Sequence, residues 1–453
     1  MRKLDEFPHR CRVNNLKAAA LLLVACTWSQ AVLAQDVRRP SRRLLPQITT
    51  VSTPEEQGMD STTLAAGIDF LLENLETYRV HSVVVIRNDH VVLDARFYPF
   101  SSEWRHDIAS VTKSFTSTLV GIAIDNGYIA GLDVPVLDFF PDHTIANRDA
   151  RKERMTLEDL ISMRSGFECD PTNSEETLTE MTNSADWVQF ALDLPMADEP
   201  GERHVYCSPN VHLLSAILER ATGMSTLAFA RKHLFRHLGI SNVEWLIDPQ
   251  GIHRGWGDLH MTPPDMTRLG LLFLNQGTWR GRQIVSPEWV EESTYGAGHS
   301  IPGWPAGEGY AYLWYYAPDY YNASGRGGQR IEVHPEENLV IGLNAGSGIG
   351  DYWPITAEFL DTWVLGAIES DGSLPPNPDG VALLASRVSE AAASNEGPPQ
   401  AVGTLPATAQ TISGQTYNLW QWDLRFEGDT VALTLESLAG GELPATATGT
   451  LAR

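Results

Sequence analysis

The sequence predicts an α+β fold. A central antiparallel sheet is flanked by helices, a mainly helical subdomain is inserted into it, and a small β-rich segment follows at the C-terminus. Three observations carry this expectation. A helix pattern is followed at once by a hairpin pattern between residues 64 and 96. The chain from 128 to 260 is mainly helical and rich in loops. Strand-like runs return between 309 and 343.

Residues 1–34 read as an export signal. Arg10, Arg12 and Lys17 precede the apolar core Ala18 to Ala25, and Val32-Leu33-Ala34 fits a signal-peptidase site before Gln35. Leu23-Val24-Ala25-Cys26 is also similar to a bacterial lipobox, with Cys26 as the lipidated residue. Cleavage after Ala34 is preferred, because apolar stretch, polar break and small-residue site follow in normal order. Both readings place the protein outside the cytoplasm, periplasmic or secreted. No later stretch reaches the length of a membrane span.

The main domain is drawn over residues 47–369. Leu64 to Leu75 has the apolar spacing of an amphipathic helix, and Ser82–Ile86 and Val91–Arg96 read as a hairpin turning at Asn88-Asp89. Thr156-Leu157-Glu158-Asp159 opens a helix with a capping-box pattern. From Ser370 the composition shifts. Residues 370–408 read as a Pro/Ala/Gly-rich linker containing one helix, Gly380 to Ala393. In the last segment, 409–453, Thr416–Trp420 and Thr430–Leu435 look like strands.

The chemistry concentrates at Ser110-Val111-Thr112-Lys113. The chain has 28 Arg and only 5 Lys, and two of those Lys lie in the export signal. Lys152 and Lys232 each adjoin an Arg and read as surface charge. Lys113 sits in an otherwise uncharged run from Ile108 to Ile124. Arg does not release its proton in a protein, whereas a desolvated Lys does, so a Lys kept at this one apolar site suggests a base. Val111, Phe115, Leu119, Ile122 and Ala123 recur at helical spacing. Ser110 and Lys113 would therefore share a face, with Ser110 at a helix start whose free N–H groups favour developing negative charge. The competing reading is a capping serine beside a solvated lysine.

Ser-x-x-Lys is the first signature of penicillin-binding proteins and serine β-lactamases. Tyr206-Cys207-Ser208-Pro209-Asn210 precedes an amphipathic run, and Ser324-Gly325-Arg326-Gly327-Gly328-Gln329 leads into the strand-like Ile331-Glu332-Val333-His334-Pro335. Ile161-Ser162-Met163-Arg164-Ser165-Gly166 and Met261-Thr262-Pro263-Pro264-Asp265-Met266 are smaller echoes. In order and spacing these pieces resemble the serine β-lactamase/penicillin-binding-protein superfamily. The class C β-lactamase-related branch is the nearest, with its carboxylesterases and 6-aminohexanoate-dimer-hydrolase-like enzymes. The resemblance covers about residues 50 to 368 and implies a β-lactamase/transpeptidase-like fold. It implies Ser110 as nucleophile, Lys113 as base, and Tyr206 beside Lys113 passing protons to the leaving group. The N–H groups of Ser110 and of Gly328, after Gly327, would bind the oxyanion. The chain departs from the branch in two places. Gly325 or Arg326 stands where the third motif has Lys or His, and Ser208 stands where class C enzymes have Asn. Both fall where a β-lactam's amide and carboxylate would be held, with Arg326 as the replacement carboxylate partner.

The remaining expectations follow from composition. The formal net charge is −24, and without residues 1–34 there remain 28 Lys plus Arg against 55 Asp plus Glu. Such an acidic chain is a poor binder of nucleic acid. His253 and His260 flank a Gly-Trp-Gly loop without metal-ligand spacing, and no cofactor is expected. The partner is a small-molecule or short peptide-like substrate, and the oligomeric state is left open. Of the 4 Cys, only Cys169 and Cys207 remain after cleavage, which suggests one disulfide bracing the second motif. The expected function is an exported serine hydrolase that cleaves an ester, amide or β-lactam through an acyl-enzyme. A D-Ala-D-Ala-type peptidase of cell-wall peptides is the second reading, and a non-catalytic envelope binding protein the third.

Overall fold

The computed structural model describes residues 50–393 except 102, 171, 173–174 and 348–355, and four short strands beyond them. The export signal, Cys26 and the linker after residue 393 lie outside the described residues.

The main sheet has nine strands among the described residues. From one edge to the other they are Thr50–Val51, His90–Arg96, Val80–Arg87, Leu339–Ala345, Gln329–His334, Tyr321–Gly325, Tyr315–Tyr316, Gly309–Tyr310 and His299–Ser300. The first pair is parallel and the other neighbours are antiparallel. The expected hairpin is present. Asn88 and Asp89 take φ 51° and 65°, the left-handed pair that a type I′ two-residue turn requires. Pairing of Val80–Arg87 with Leu339–Ala345 then joins the two ends of the domain, with Ile86 opposite Val340.

Alternate residues of these strands enter two cores. Val84, Ile86 and Val340 face the cluster that holds the helical subdomain, while Val83, Val85, Leu339, Ile341 and Leu343 face a second cluster. The second face is covered by Ser61–Glu73 and by a helical stretch ending at Val364. The helix expected inside the linker runs Pro378–Ala392 and packs here, with Leu384 and Ala391 buried. The final segment contains a four-stranded antiparallel sheet, Thr416–Leu419, Trp422–Arg425, Ala432–Ser437 and Thr446–Thr448, where two strands were expected.

On the first face, Val111–Asp125 is buried on every side from Val111 to Ala123. Its hydroxyl residues are tolerated there because they find partners. Ser114 Oγ donates to Leu313 O at 2.7 Å and Thr116 Oγ1 to Gly255 O at 2.7 Å. Helix Pro263–Leu274 lies against the sheet at Gly270, where a Cβ would stand 2.6 Å from the side chains of both Ile331 and Val340. The capping box at Thr156 and Asp159 is formed.

Lys152 corrects an expectation. It is buried, not on the surface, and its ammonium donates to the carbonyls of Ala146, Leu192 and Leu194 at 3.0, 2.8 and 2.6 Å. Three backbone acceptors replace its hydration, and an adjoining Arg in the sequence says nothing about such carbonyls.

Candidate active site

Three pieces of backbone place the nucleophile. Short strand His106–Asp107 pairs with Leu259–Met261, and Ile108 N–H donates to Leu259 O. Ala109 then takes φ 46°, a left-handed conformation unfavourable for a side chain by roughly 1–2 kcal/mol. Asp107 Oδ1 holds it by accepting from Ala109 N–H at 2.8 Å. The chain thus turns sharply into helix Val111–Asp125 with Ser110 at its N-cap. Ser110 makes no side-chain capping bond. Its Oγ instead accepts from Lys113 Nζ at 3.0 Å, and the hydroxyl lies close enough to Tyr206 to act on its phenol. The reading of Ser110 as a plain cap is therefore excluded.

Lys113 is 2 % exposed. Its Nζ also donates to Trp256 O at 2.8 Å and lies 4.8 Å from the centre of the Tyr206 ring. Burial pushes its pKa down to about 8; Arg326 adds to this, while Glu175 and Asp258 oppose it. Tyr206 moves the other way. Burial, with Tyr315, Tyr310 and Glu175 around it, raises the phenol well above 10. These directions separate the roles. At neutral pH Lys113 has an accessible neutral form that can take a proton, and Tyr206 keeps its proton and can give it.

The third motif lies against the same turn. Strand Tyr321–Gly325 ends at the nucleophile, where a Cβ on Gly325 would stand 2.8 Å from Ile108 O and 3.0 Å from Ser110 N. Gly325→Ala is expected to lower kcat/KM on the order of 100-fold by displacing Ser110, since an ångström of misplacement has that effect. Steady-state assay beside a thermal melt checks it, and wild-type activity would refute the close fit. Arg326 is exposed on the following turn, with Gly327 and Gly328 at φ 83° and 96°. Gly328 corrects the oxyanion expectation: its N–H donates to Gly325 O at 3.2 Å and closes the turn. Gly327 O accepts from Ser347.

Ser208 is 1 % exposed, and its hydroxyl donates to Glu175 Oε1. Sequence reasoning missed Glu175, whose charge acts on Lys113, Tyr206 and Tyr310. It also missed the aromatic wall. Tyr310 lies 6.4 Å from Tyr206 and 4.7 Å from Tyr315, and Trp304 stacks on Tyr315 at 5.6 Å. The Gly-Trp-Gly loop was noted for its flanking His253 and His260, but its contribution is the Trp256 carbonyl. Cys169 and Cys207 are joined in a disulfide, Cα atoms 5.8 Å apart, next to Tyr206.

The beta-lactamase family profile matches residues 71–347. A 6-aminohexanoate-dimer hydrolase of Paenarthrobacter ureafaciens is 26 % identical over 309 residues, covering 64 % of this chain and 78 % of that protein. Among solved structures, a class C beta lactamase from Rhodobacter sphaeroides superposes with TM-score 0.52 at 18 % identity, over 67 % of this chain and 99 % of that one. EstCE1, a hydrolase with promiscuous acyltransferase activity, gives 0.57 at 14 % identity, over 67 % and 99 %. These two likenesses concern the fold. The profile, however, takes in the turn of Ser110, the second motif and the third, and by that match the chain belongs to the beta-lactamase family and is a serine hydrolase.

Proposed function

We propose that the protein is an exported hydrolase that cleaves an ester or amide through an acyl-enzyme on Ser110. The observation that carries this is the Lys113 Nζ–Ser110 Oγ contact of 3.0 Å at a lysine whose pKa is pushed down to about 8. Neutral Lys113 takes the Ser110 proton as Oγ forms its bond to the carbonyl carbon. Backbone N–H at the helix start receives the oxyanion. The tetrahedral centre collapses, the leaving group departs with a proton from Tyr206, and Lys113 returns a proton to Tyr206. Water then hydrolyses the acyl-enzyme with the same groups acting in reverse.

Export is supported by the pairing of Cys169 with Cys207, since such bonds persist in oxidising compartments. Two features argue against efficient β-lactam turnover. The third motif offers Arg326 in place of Lys or His, and Ser208 is committed to Glu175. Assaying p-nitrophenyl esters, short D-amino-acid peptides and a chromogenic cephalosporin side by side tests the reading. Clear turnover of esters or short amides with a weak cephalosporin rate is expected. A cephalosporin kcat/KM of about 10⁷ M⁻¹s⁻¹ or more would overturn the specificity argument.

A further inference from the structure

Tyr206 stands in a stretch, residues 203–207, that is neither helix nor strand, and helix Ser208–Thr222 begins just beyond it. The regular bonding of a helix or sheet therefore does not aim its side chain. The phenol sits at the far end of that side chain, so a small turn of the backbone carries it away from Lys113, whose Nζ lies 4.8 Å from the ring centre. One residue of the Ile161–Gly166 run, Met163, anchors the peptides on both sides. Its carbonyl accepts from Val205 N–H at 2.9 Å, and its Sδ accepts from Cys207 N–H at 3.4 Å. In a capping box the N-cap N–H finds its acceptor on the side chain three positions on. Here Cys207 is the N-cap and that side chain is Asn210, whose Nδ2 donates to the same sulfur at 3.9 Å. The thioether takes the acceptor's place.

Met163 is itself held firmly. It is fully buried and follows the capped helix Leu157–Ile161, its N–H donating to Leu160 O at 3.1 Å. It takes φ 58°, a left-handed conformation that a bulky side chain adopts rarely and keeps only where its surroundings over-determine it. Glycine would accept that backbone without strain but would leave Cys207 N–H without its acceptor. The disulfide to Cys169 holds the Cys207 side chain, whereas the Met163 sulfur holds the Cys207 peptide, the part continuous with Tyr206. A methionine that only fills a core is exchanged for leucine at little cost, so the two readings of Met163 predict different outcomes.

We propose that Met163 is a positioning residue for Tyr206: its carbonyl and its thioether fix the two flanking peptides and so aim the phenol at the leaving group. The assignment rests on the reading of Tyr206 as proton donor, and the leaving group of the substrate separates the two.

A weakly basic leaving group departs without a proton, whereas a more basic one needs it. p-Nitrophenyl butyrate and phenyl butyrate form the same butyryl-enzyme and differ chiefly in the basicity of the departing phenol. The ratio of their kcat/KM values therefore reads the proton that Tyr206 delivers. Met163→Leu is expected to lower kcat/KM about tenfold on phenyl butyrate and about twofold or less on p-nitrophenyl butyrate, within the effect of misplacing a reacting group by less than an ångström. Tyr206→Phe should show the same selectivity more strongly, and adding Met163→Leu to Tyr206→Phe should shift the ratio no further. Should Met163→Leu fail to fold, protein carrying norleucine in place of methionine keeps the shape at position 163 and replaces the sulfur by a methylene. An unchanged ratio, or a shift that persists on top of Tyr206→Phe, overturns the assignment, while a selective loss in Tyr206→Phe alone still upholds the proton donor. A ratio untouched by Tyr206→Phe removes the proton donor and the assignment together.

Discussion

Ser110→Ala is expected to lower turnover on the order of 10⁴-fold or more while the protein still folds. The size of the effect follows from covalent chemistry, since an alanine leaves no oxygen to form the ester. Ser110 makes no capping bond, but its Oγ is one of the acceptors of the buried Lys113 ammonium, so a stability loss of about 1–2 kcal/mol is expected, too small to unfold the protein. Steady-state kinetics and a denaturant titration measure the two quantities. Intact-mass spectrometry with a slow acylating ligand should place one adduct on Ser110, absent from the variant. Full activity in Ser110→Ala, or an adduct on another residue, would remove the mechanism.

Lys113→Arg should be nearly as damaging as Lys113→Ala, each losing about 10²–10⁴-fold in kcat/KM. Arg keeps the charge but accepts no proton near neutral pH. In the wild type, kcat/KM should rise with pH through about 8, as Lys113 reaches its neutral form. A flat profile between pH 6 and 9, or substantial activity in the Arg variant, would leave Lys113 an electrostatic residue. The same burial has a thermodynamic side. With a folded pKa of about 8 against 10.5 unfolded, the native state binds fewer protons between those values, so stability rises with pH across that window. Below pH 8 the penalty is fully present. Lys113→Met, inactive, should therefore be more stable than the wild type at pH 7, on the order of 1 kcal/mol, after losing its two hydrogen bonds.

What could be read from the sequence was set by side chains whose chemistry demands a spacing. Ser110 and Lys113 meet because i and i+3 share a helix face, and the Asn88-Asp89 turn follows from residues that tolerate positive φ. With Cys11 and Cys26 in the expected export signal, Cys169 and Cys207 are the two left to pair, and the structure joins them. What escaped depends on backbone groups and on distant segments meeting. The Trp256 carbonyl that holds Lys113 has no signature, since every residue carries one. Glu175 meets Ser208 across 33 positions, with no motif around it. The resemblance implies Gly328 at the oxyanion, but turn geometry decides which N–H closes the turn, and here it is that one. Lys152 failed for the same reason as Trp256, three carbonyls being invisible in one-dimensional text.

The scarcity of lysine also bears on how the protein can be handled. Among the described residues Lys113 and Lys152 are enclosed, and Lys232 is exposed in the turn Arg231–Phe235. Acylating reagents that couple proteins to beads or dyes react with amines and leave guanidinium groups untouched. On the folded domain Lys232 is the exposed lysine among the described residues, so coupling should be confined to it and the chain's α-amino group, and immobilised molecules should share very few orientations. Random coupling, which usually blinds a fraction of any enzyme on a surface, should be largely avoided, and the catalytic amine should survive the reaction inside its enclosure.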